Sequence, residues 1–286
     1  MNQLVMKALR KADEIRRLHK YNMYEPINVF DLCSAMNLTV MFVDVNMEGM
    51  YISKDNNSFA RILISSQRPL PRRVFTCAHE LGHHLFAHGT KVDELSQNGK
   101  SPSAYDSDEL LVDSFAGALL MPIAGVLVEF AKRNWDIKSA TPIQFYTIAS
   151  IFGTGYQSLI CHCQKNNIIN DYHAKTLVRQ KPADILTSII GKRVAPTHFK
   201  LIDNKNINKV IDLEVTNFIM LPKGINVEGR QLTKYSQTVS EDIFIAKQPG
   251  IARVLSTDKA ISAFIRVQNL SYAGIAEYRH LENSDE

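Results

Sequence analysis

The sequence predicts an α+β protein with a helix-rich N-terminal part and a mainly β C-terminal part. Helical spacing of apolar residues recurs in the first 165 residues. Short runs of β-branched residues lie between the second and third of these helical patterns. From about residue 181, strand-like runs separated by Gly, Pro, Asp and Asn dominate. The 286 residues suffice for roughly two domains.

The N-terminal elements follow from local signals. They are a helix (3–20), a short helix after Pro26, a strand (39–45), a hairpin (50–66) and a helix from Pro69 to about Ala87. The hairpin turns at Asp55–Asn57, and its second strand is Ala60–Ile64. If that strand lies at a sheet edge, an extended peptide can pair with it; an internal strand is the alternative.

A polar loop (89–107) precedes four helical patterns, at 108–121, 123–133, 142–152 and 155–165. Strand-like runs then follow in the order NFIMLPKG, EDIFIAK, AFIRVQ and YAGIAEYRHL. This change from helical to strand-like patterns predicts a domain of residues 1–178 and a β-rich domain of residues 179–286. We expect the second domain to act in regulation or substrate recognition.

Composition excludes some classes of function. The net charge of +4 does not argue for nucleic acid or an anionic membrane as partner. No apolar run of about eighteen residues predicts a membrane span, and the N-terminus does not resemble a secretory signal. The four cysteines show no C-x-x-C spacing, which favours reduced thiols. The expected location is the cytoplasm, without membrane association.

The segment TCAHELGHHLFAHG, residues 76–89, holds four of the nine histidines. His79 and His83 are four residues apart, so a helix places both on one face, where two imidazoles can bind one tetrahedral Zn²⁺. Glu80 is placed to take a proton from the attacking water and pass it to the leaving amine. Gly82 allows a neighbouring element to approach closely.

A catalytic zinc usually has three protein ligands, so a third is expected elsewhere. His84 points about 100° away from His83 around the helix. His88 does not fit the H-E-x-x-H-x-x-G-x-x-H pattern, because Phe86 and Gly89 occupy the positions that need Gly and His. Both histidines are therefore interpreted as bystanders.

The helix DELLVDSFAGALLMP offers carboxylates instead. Glu109 and Asp113 share one face, which suits a ligand and an acceptor for a ligand histidine's free N–H. Asp108 and Asp106 are the alternative ligands. A different interpretation is an amphipathic helix whose acids face water near its N-terminus. Its opposite face is apolar and should be buried: Leu111, Phe115, Ala118 and Leu119.

Together, RRVFTCAHELGHHLFAH, DELLVDSFAGALLMP and TPIQFYTIASIFGTGYQSLICHCQKNNII resemble the ImmA/IrrE family of zinc metallopeptidases, over roughly residues 5–170. The resemblance implies a zincin-like N-terminal domain with a small sheet, helices and a helical subdomain. It implies one Zn²⁺ held by His79, His83 and Glu109, with Glu80 as catalytic base. Where members often carry a further acid and an alanine, this chain has Leu111 and Val112.

The resemblance further implies a cytoplasmic endopeptidase that cleaves a helix-turn-helix repressor of the phage type. The alternatives are a non-hydrolytic regulator, or a toxin-module component that binds a repressor, an antitoxin or DNA. Residues 140–178 have helix-turn-helix-like spacing, with Gly153 in the turn. The second helix lacks a basic residue before Lys165, so direct nucleic-acid binding is not expected.

Two further points concern side chains around these motifs. A group that stabilises the oxyanion is expected, and the candidates stay open: Tyr51, Tyr105, Arg72 and Arg73. Cys161, His162 and Cys163 are neighbours on a helix and point apart, which argues against a joint metal site.

Overall fold

A computed structural model describes residues 3–54, 59–93, 106–195, 197–205, 207, 209–256 and 262–281. The predicted turn at 55–57, Tyr105 and most of the predicted loop lie outside these ranges. The chain forms two compact units. The first comprises Met1–Gly125 and Ser271–Arg279, and the second comprises Val126–Leu270 and His280–Glu286.

The first unit contains both the histidine motif and the acidic helix. Its elements, in chain order, are α1 (Gln3–Leu18), α2 (Val29–Ala35), β1 (Thr39–Val43), β2 (Gly49–Ile52), β3 (Arg61–Ser65), α3 (Leu70–Phe86), β4 (Lys91–Asp93) and α4 (Ser107–Leu120). The helix α5 (Ile123–Lys132) follows and leads into the second unit. Apart from β4, which lies in the segment predicted as a loop (89–107), the helices and strands of the first 120 residues agree with the predicted order.

The sheet of the first unit has the order β13-β1-β3-β2-β4, where β13 (Gly274–Ile275) comes from near the C-terminus. Strand β3 is parallel to β1 and antiparallel to β2, so both of its edges are occupied. The suggestion that Ala60–Ile64 forms an edge strand is therefore wrong. Sequence periodicity does not show which strands flank another, because that depends on pairing between distant segments.

Helix α3 packs against β2, β3, α2 and α4, and is surrounded along its middle. Residues 76–83 are all buried, including the polar Thr76, His79, Glu80 and His83. Of the apolar residues along α3, Ala78 and Leu81 are buried, whereas Val74, Phe75 and Leu85 are only partly buried. The helix thus encloses its polar groups in the protein, which is costly unless they are paired or functional.

Residues 107–132 satisfy the length and composition of a membrane-spanning helix, with 67% of the most apolar window buried inside the protein. This is weak evidence for a membrane span, since the core helix of a soluble protein passes the same test. The segment is divided into α4 and α5 around Met121 and Pro122. The absence of a membrane stays an expectation.

The second unit is mainly β after a helical part. It contains two four-stranded sheets, β5-β7-β10-β9 and β6-β12-β11-β8. The strands are β5 (Phe199–Leu201), β6 (Val210–Glu214), β7 (Phe218–Pro222), β8 (Ile225–Glu228), β9 (Leu232–Gln237), β10 (Glu241–Ala246), β11 (Gly250–Ser256) and β12 (Ser262–Gln268). Both sheets contribute to one apolar core, and burial alternates along β11 and β12 as expected for a half-exposed sheet.

The helical part consists of α6 (Pro142–Phe152), α7 (Tyr156–Lys165), α8 (Asp171–Arg179) and α9 (Pro182–Ile190). Helix α6 is bound to β5: the Tyr146 ring stacks on Phe199 with centroids 4.0 Å apart, and its hydroxyl donates to the Phe199 carbonyl. By contacts, residues 140–178 thus belong with the β-rich unit. The division at 178/179 stays a prediction about functional domains.

Two details of the C-terminal prediction are wrong. Residues 182–190 form helix α9, favoured by Pro182 at its start and Gly191 in the left-handed conformation at its end. The run YAGIAEYRHL forms only the two-residue β13 and a 3₁₀ turn at Ala276–Tyr278. The mixed α+β class, with a mainly β part toward the C-terminus, is confirmed.

Candidate metal centre

The polar residues of helix α3 lie on two different faces of the helix. One face carries His79 and His83 toward α4, where Glu109 contacts both rings. The other face carries Glu80 and His84 toward β2, where they meet Gly49 and Tyr51. The 3.6-residue helical period explains this division, since positions 79 and 83 share one face and positions 80 and 84 share the next.

Helix α4 approaches α3 closely at Gly82. A Cβ atom at this position would lie 2.9 Å from Val112 Cβ and 3.2 Å from the Phe115 ring. The expectation that Gly82 permits close approach is confirmed. The predicted apolar face of α4 is buried as well, at Leu111, Phe115, Ala118 and Leu119. This packing brings the acidic first turns of α4 beside the histidines.

Donor atoms of three side chains converge between the two helices. His79 Nε2 lies 3.2 Å from His83 Nε2 and 3.1 Å from Glu109 Oε2. His83 Nε2 lies 3.5 Å from Glu109 Oε1. Among the described residues, His79, His83 and Glu109 form a group that can hold a metal ion. The structure thus assembles the three ligand candidates that the sequence suggested.

Neighbouring side chains favour the ring orientation of His79 and the charge state of Glu109 that metal binding requires. His79 Nδ1 lies 3.0 Å from Asp113 Oδ1, the contact predicted for a carboxylate that fixes a ligand histidine. If Nδ1 carries the hydrogen and donates to Asp113, the Nε2 lone pair faces the group. The hydrogen bond with His79 lowers the pKa of Glu109 below its ordinary value, although burial opposes this shift. Glu109 is thereby an anionic donor at neutral pH.

Glu80 is completely buried and lies against the backbone of β2. A Cβ atom at Gly49 would be only 2.8 Å from Glu80 Oε1 and 2.5 Å from Thr76 Cγ2. Because such separations are shorter than van der Waals contact, the space for the Glu80 carboxylate exists only while residue 49 has no side chain. Sequence analysis did not find this requirement, since it joins segments thirty residues apart.

We therefore expect Gly49→Ala to lower the free energy of unfolding by about 1–3 kcal/mol, the usual cost of overpacking. Adding Thr76→Ser removes the methyl group of the closer clash and should restore part of that stability. It should not restore the position of Glu80. Thermal or urea unfolding of the single and double variants measures the effect, and an unchanged midpoint for Gly49→Ala would contradict this account.

His84 also has a partner, which its interpretation as a bystander missed. Its Nδ1 lies 3.0 Å from the Tyr51 hydroxyl, and the two rings meet edge to face. Burial lowers the pKa of His84 and raises the pKa of Tyr51, so both groups favour their neutral forms. Tyr51 projects from β2 on the same side as Gly49.

The arginines suggested for oxyanion binding are engaged elsewhere. Arg72 Nε lies 2.8 Å from Glu48 Oε2. Arg73 is buried, donates to the Arg68 carbonyl and lies over the Phe42 ring. These contacts give both arginines structural partners, as His84 does for the Tyr51 hydroxyl, so the choice of an oxyanion-stabilising group stays open.

His88 contributes to the centre, contrary to the sequence interpretation. Its Nδ1 lies 3.0 Å from His83 Nδ1, and its Nε2 lies 3.6 Å from Asp108 Oδ1. Helical geometry does not apply to this residue, because α3 ends at Phe86 and Ala87 adopts the left-handed conformation. The chain then turns back, and the signal that can reveal this is a histidine just past a helix end.

The alternative carboxylate ligands have other roles in the structure. Asp106 is the N-cap of α4, and its side chain accepts from the Asp108 amide at 2.9 Å. Asp108 faces His88. The four cysteines are free thiols, as expected from their spacing.

Comparisons with known proteins add a family assignment. Residues 33–162 match the model of the family described as Peptidase_M78, IrrE N-terminal-like domain. The match includes all of α3 and α4. A methylthioribose-1-phosphate isomerase from Rhodospirillum centenum (strain ATCC 51521 / SW) is 30% identical over 89 residues. That alignment covers 30% of this chain and 24% of the isomerase, so the chain spans about a quarter of that relative.

The family match covers every residue of the metal centre. The histidine motif, the acidic helix and the strand that packs on Glu80 all lie within residues 33–162. Residues 33–162 thus match an IrrE N-terminal-like domain, which supports the resemblance to the ImmA/IrrE family.

Proposed function

We propose that the protein is a zinc-dependent endopeptidase with one Zn²⁺ per chain, held by His79, His83 and Glu109. The observation that carries this proposal is the convergence of the three side chains: the two Nε2 atoms lie 3.2 Å apart, and Glu109 Oε2 and Oε1 lie 3.1 Å from His79 Nε2 and 3.5 Å from His83 Nε2, respectively. Two ligands of a tetrahedral Zn²⁺, each about 2.0–2.1 Å from the metal, lie roughly 3.3–3.4 Å apart. The family's peptidase designation supports the same conclusion.

The donor set also fits zinc chemically. Two imidazoles and one carboxylate form a common catalytic set, which leaves a fourth position open. Two imidazole nitrogens 3.2 Å apart beside a carboxylate are stabilised by a shared cation. When bound there, Zn²⁺ would polarise a peptide carbonyl and make water a competent nucleophile near neutral pH.

Other residues of this chain would then transfer protons and position the reacting groups. Glu80 accepts a proton from the attacking water and delivers it to the amine that leaves, so a single carboxylate acts first as base and then as acid. Gly49 leaves room for this carboxylate. Asp113 keeps the His79 ring oriented. The helix and strand that surround Glu80 exclude bulk water from it, consistent with its complete burial.

The substrate belongs to the proposal as well. We infer from the family resemblance that it is a helix-turn-helix repressor of the phage type, cleaved in the cytoplasm. The zincin-like interpretation of the first unit has the same basis. The charge of +4 and the lack of basic residues in α7 before Lys165 support a protein partner over nucleic acid.

Metal removal tests the proposed function. Chelator-treated full-length protein should stop cleaving a helix-turn-helix repressor of the phage type that the untreated protein cleaves, and one equivalent of Zn²⁺ should restore cleavage. The measurements are metal content by mass spectrometry and substrate fragments by electrophoresis. Cleavage that persists in metal-free protein would contradict the proposal, as would a wild-type protein that binds no zinc.

A further inference from the structure

We propose that His88 and Asp108 form a positioning pair for His83, a role that rests on the proposed zinc centre. His83 is completely buried and has two ring nitrogens with different neighbours. Its Nε2 faces His79 and Glu109, whereas its Nδ1 lies 3.0 Å from His88 Nδ1. A ring that binds metal through Nε2 carries its hydrogen on Nδ1, so it needs an acceptor at that side.

His88 supplies this acceptor only in one tautomer. Of two imidazole nitrogens at hydrogen-bonding distance, one must donate and the other accept. With His83 donating, His88 Nδ1 is unprotonated and the hydrogen of His88 lies on Nε2. That nitrogen is the one directed toward Asp108 Oδ1, at 3.6 Å, where the carboxylate charge favours an N–H. The two N–H groups therefore point the same way: His83 Nδ1–H toward His88, and His88 Nε2–H toward Asp108.

The backbone holds His88 in this position. Ala87 has φ 57° and ψ 43°, a left-handed conformation that non-glycine residues rarely adopt. The turn allows the His88 amide to donate to the His83 carbonyl at 3.1 Å. The His88 ring then stacks on Phe86, with ring centroids 5.9 Å apart and planes 23° apart.

The two histidine ligands are thus supported differently. His79 meets the carboxylate of Asp113 directly, whereas His83 meets an imidazole with a carboxylate behind it. Helix α4 supplies both carboxylates together with the third ligand, Glu109. Replacing such an outer partner typically weakens metal binding about 10–100-fold.

Two substitutions of similar size separate hydrogen bonding from packing. His88→Asn retains an acceptor close to the position of imidazole Nδ1, whereas His88→Leu removes it. We expect His88→Leu to weaken Zn²⁺ binding about 10–100-fold and His88→Asn to retain most of the affinity. Competition with a zinc-binding dye measures the affinity. Asp113→Ala, which removes the acceptor next to His79 Nδ1, serves as a positive control, and His19→Leu controls for loss of a histidine outside the cluster.

A second measurement uses the wild-type protein and does not depend on how the variants fold. Nitrogen-15 NMR of the zinc-loaded protein should show His88 with its hydrogen on Nε2 and His83 with its hydrogen on Nδ1. The opposite tautomer of His88, or wild-type affinity in His88→Leu, would overturn the positioning role. A wild type that binds no zinc would instead contradict the metal centre itself, so the two failures are distinct.

Discussion

Glu80→Gln is expected to retain one Zn²⁺ per chain while peptide hydrolysis falls roughly 10²–10⁴-fold, the usual contribution of a general base. The amide has nearly the same shape as the carboxylate, so it fits the buried space beside Gly49. It cannot take a proton from water at neutral pH. Zinc affinity stays near wild type, because Glu80 is not among the three converging donors. Initial cleavage rates and zinc content measure the two effects separately.

The matched control is Glu48→Gln, the same chemical change in the same unit. Glu48 pairs with Arg68 and Arg72 and does not contact the metal group. A partly exposed ion pair of this kind contributes at most about 1 kcal/mol, so cleavage should continue. Hydrolysis at the wild-type rate in Glu80→Gln would reject Glu80 as the base. Full relief of repression by a variant that no longer cleaves would favour the non-hydrolytic regulator.

Glu109→Ala is expected to weaken Zn²⁺ binding by more than the roughly 10–100-fold typical of an outer partner, and to remove hydrolysis with it. The substitution deletes a carboxylate that contacts both His79 and His83. It also removes the negative charge next to the Nε2 atoms of these two histidines. The side chain is 34% exposed, so the loss of packing should be small. Dye competition and calorimetry measure the affinity.

Asp106→Asn provides the comparison for Glu109. Asparagine caps a helix about as well as aspartate, so α4 should keep its start, while the carboxylate offered as an alternative ligand is lost. We expect zinc affinity close to wild type. If Asp106→Asn weakens binding as much as Glu109→Ala, the third ligand is assigned to the wrong residue.

Residue spacing within single helices was enough to predict most side chains of the metal centre. The four-residue spacing of His79 and His83 is a property of any helix, and the same spacing put Glu109 and Asp113 on one face of α4. The structure brings all four side chains together. Helix boundaries around them followed from prolines and from the N-terminal acidic residues.

Other features of the centre depend on segments that are distant in sequence or on backbone outside regular elements. Gly49 matters only because β2 lies against Glu80, and a sequence does not show which strand covers a helix. His88 reaches His83 through the left-handed Ala87, where the angular rule for helices no longer holds. Arg72 and Arg73 were candidates for substrate contact until their partners were visible.

By itself, the sequence determined most helices and strands of the N-terminal part, the histidine and carboxylate spacings, and the resemblance to the ImmA/IrrE family, because these depend on residues within a few turns of one another. Only the tertiary structure decided that β3 is internal, that Gly49 leaves space for Glu80, and that His88 faces His83. Each of these depends on packing between elements. Packing is set by the shape of the whole buried interior, which no local window of sequence contains.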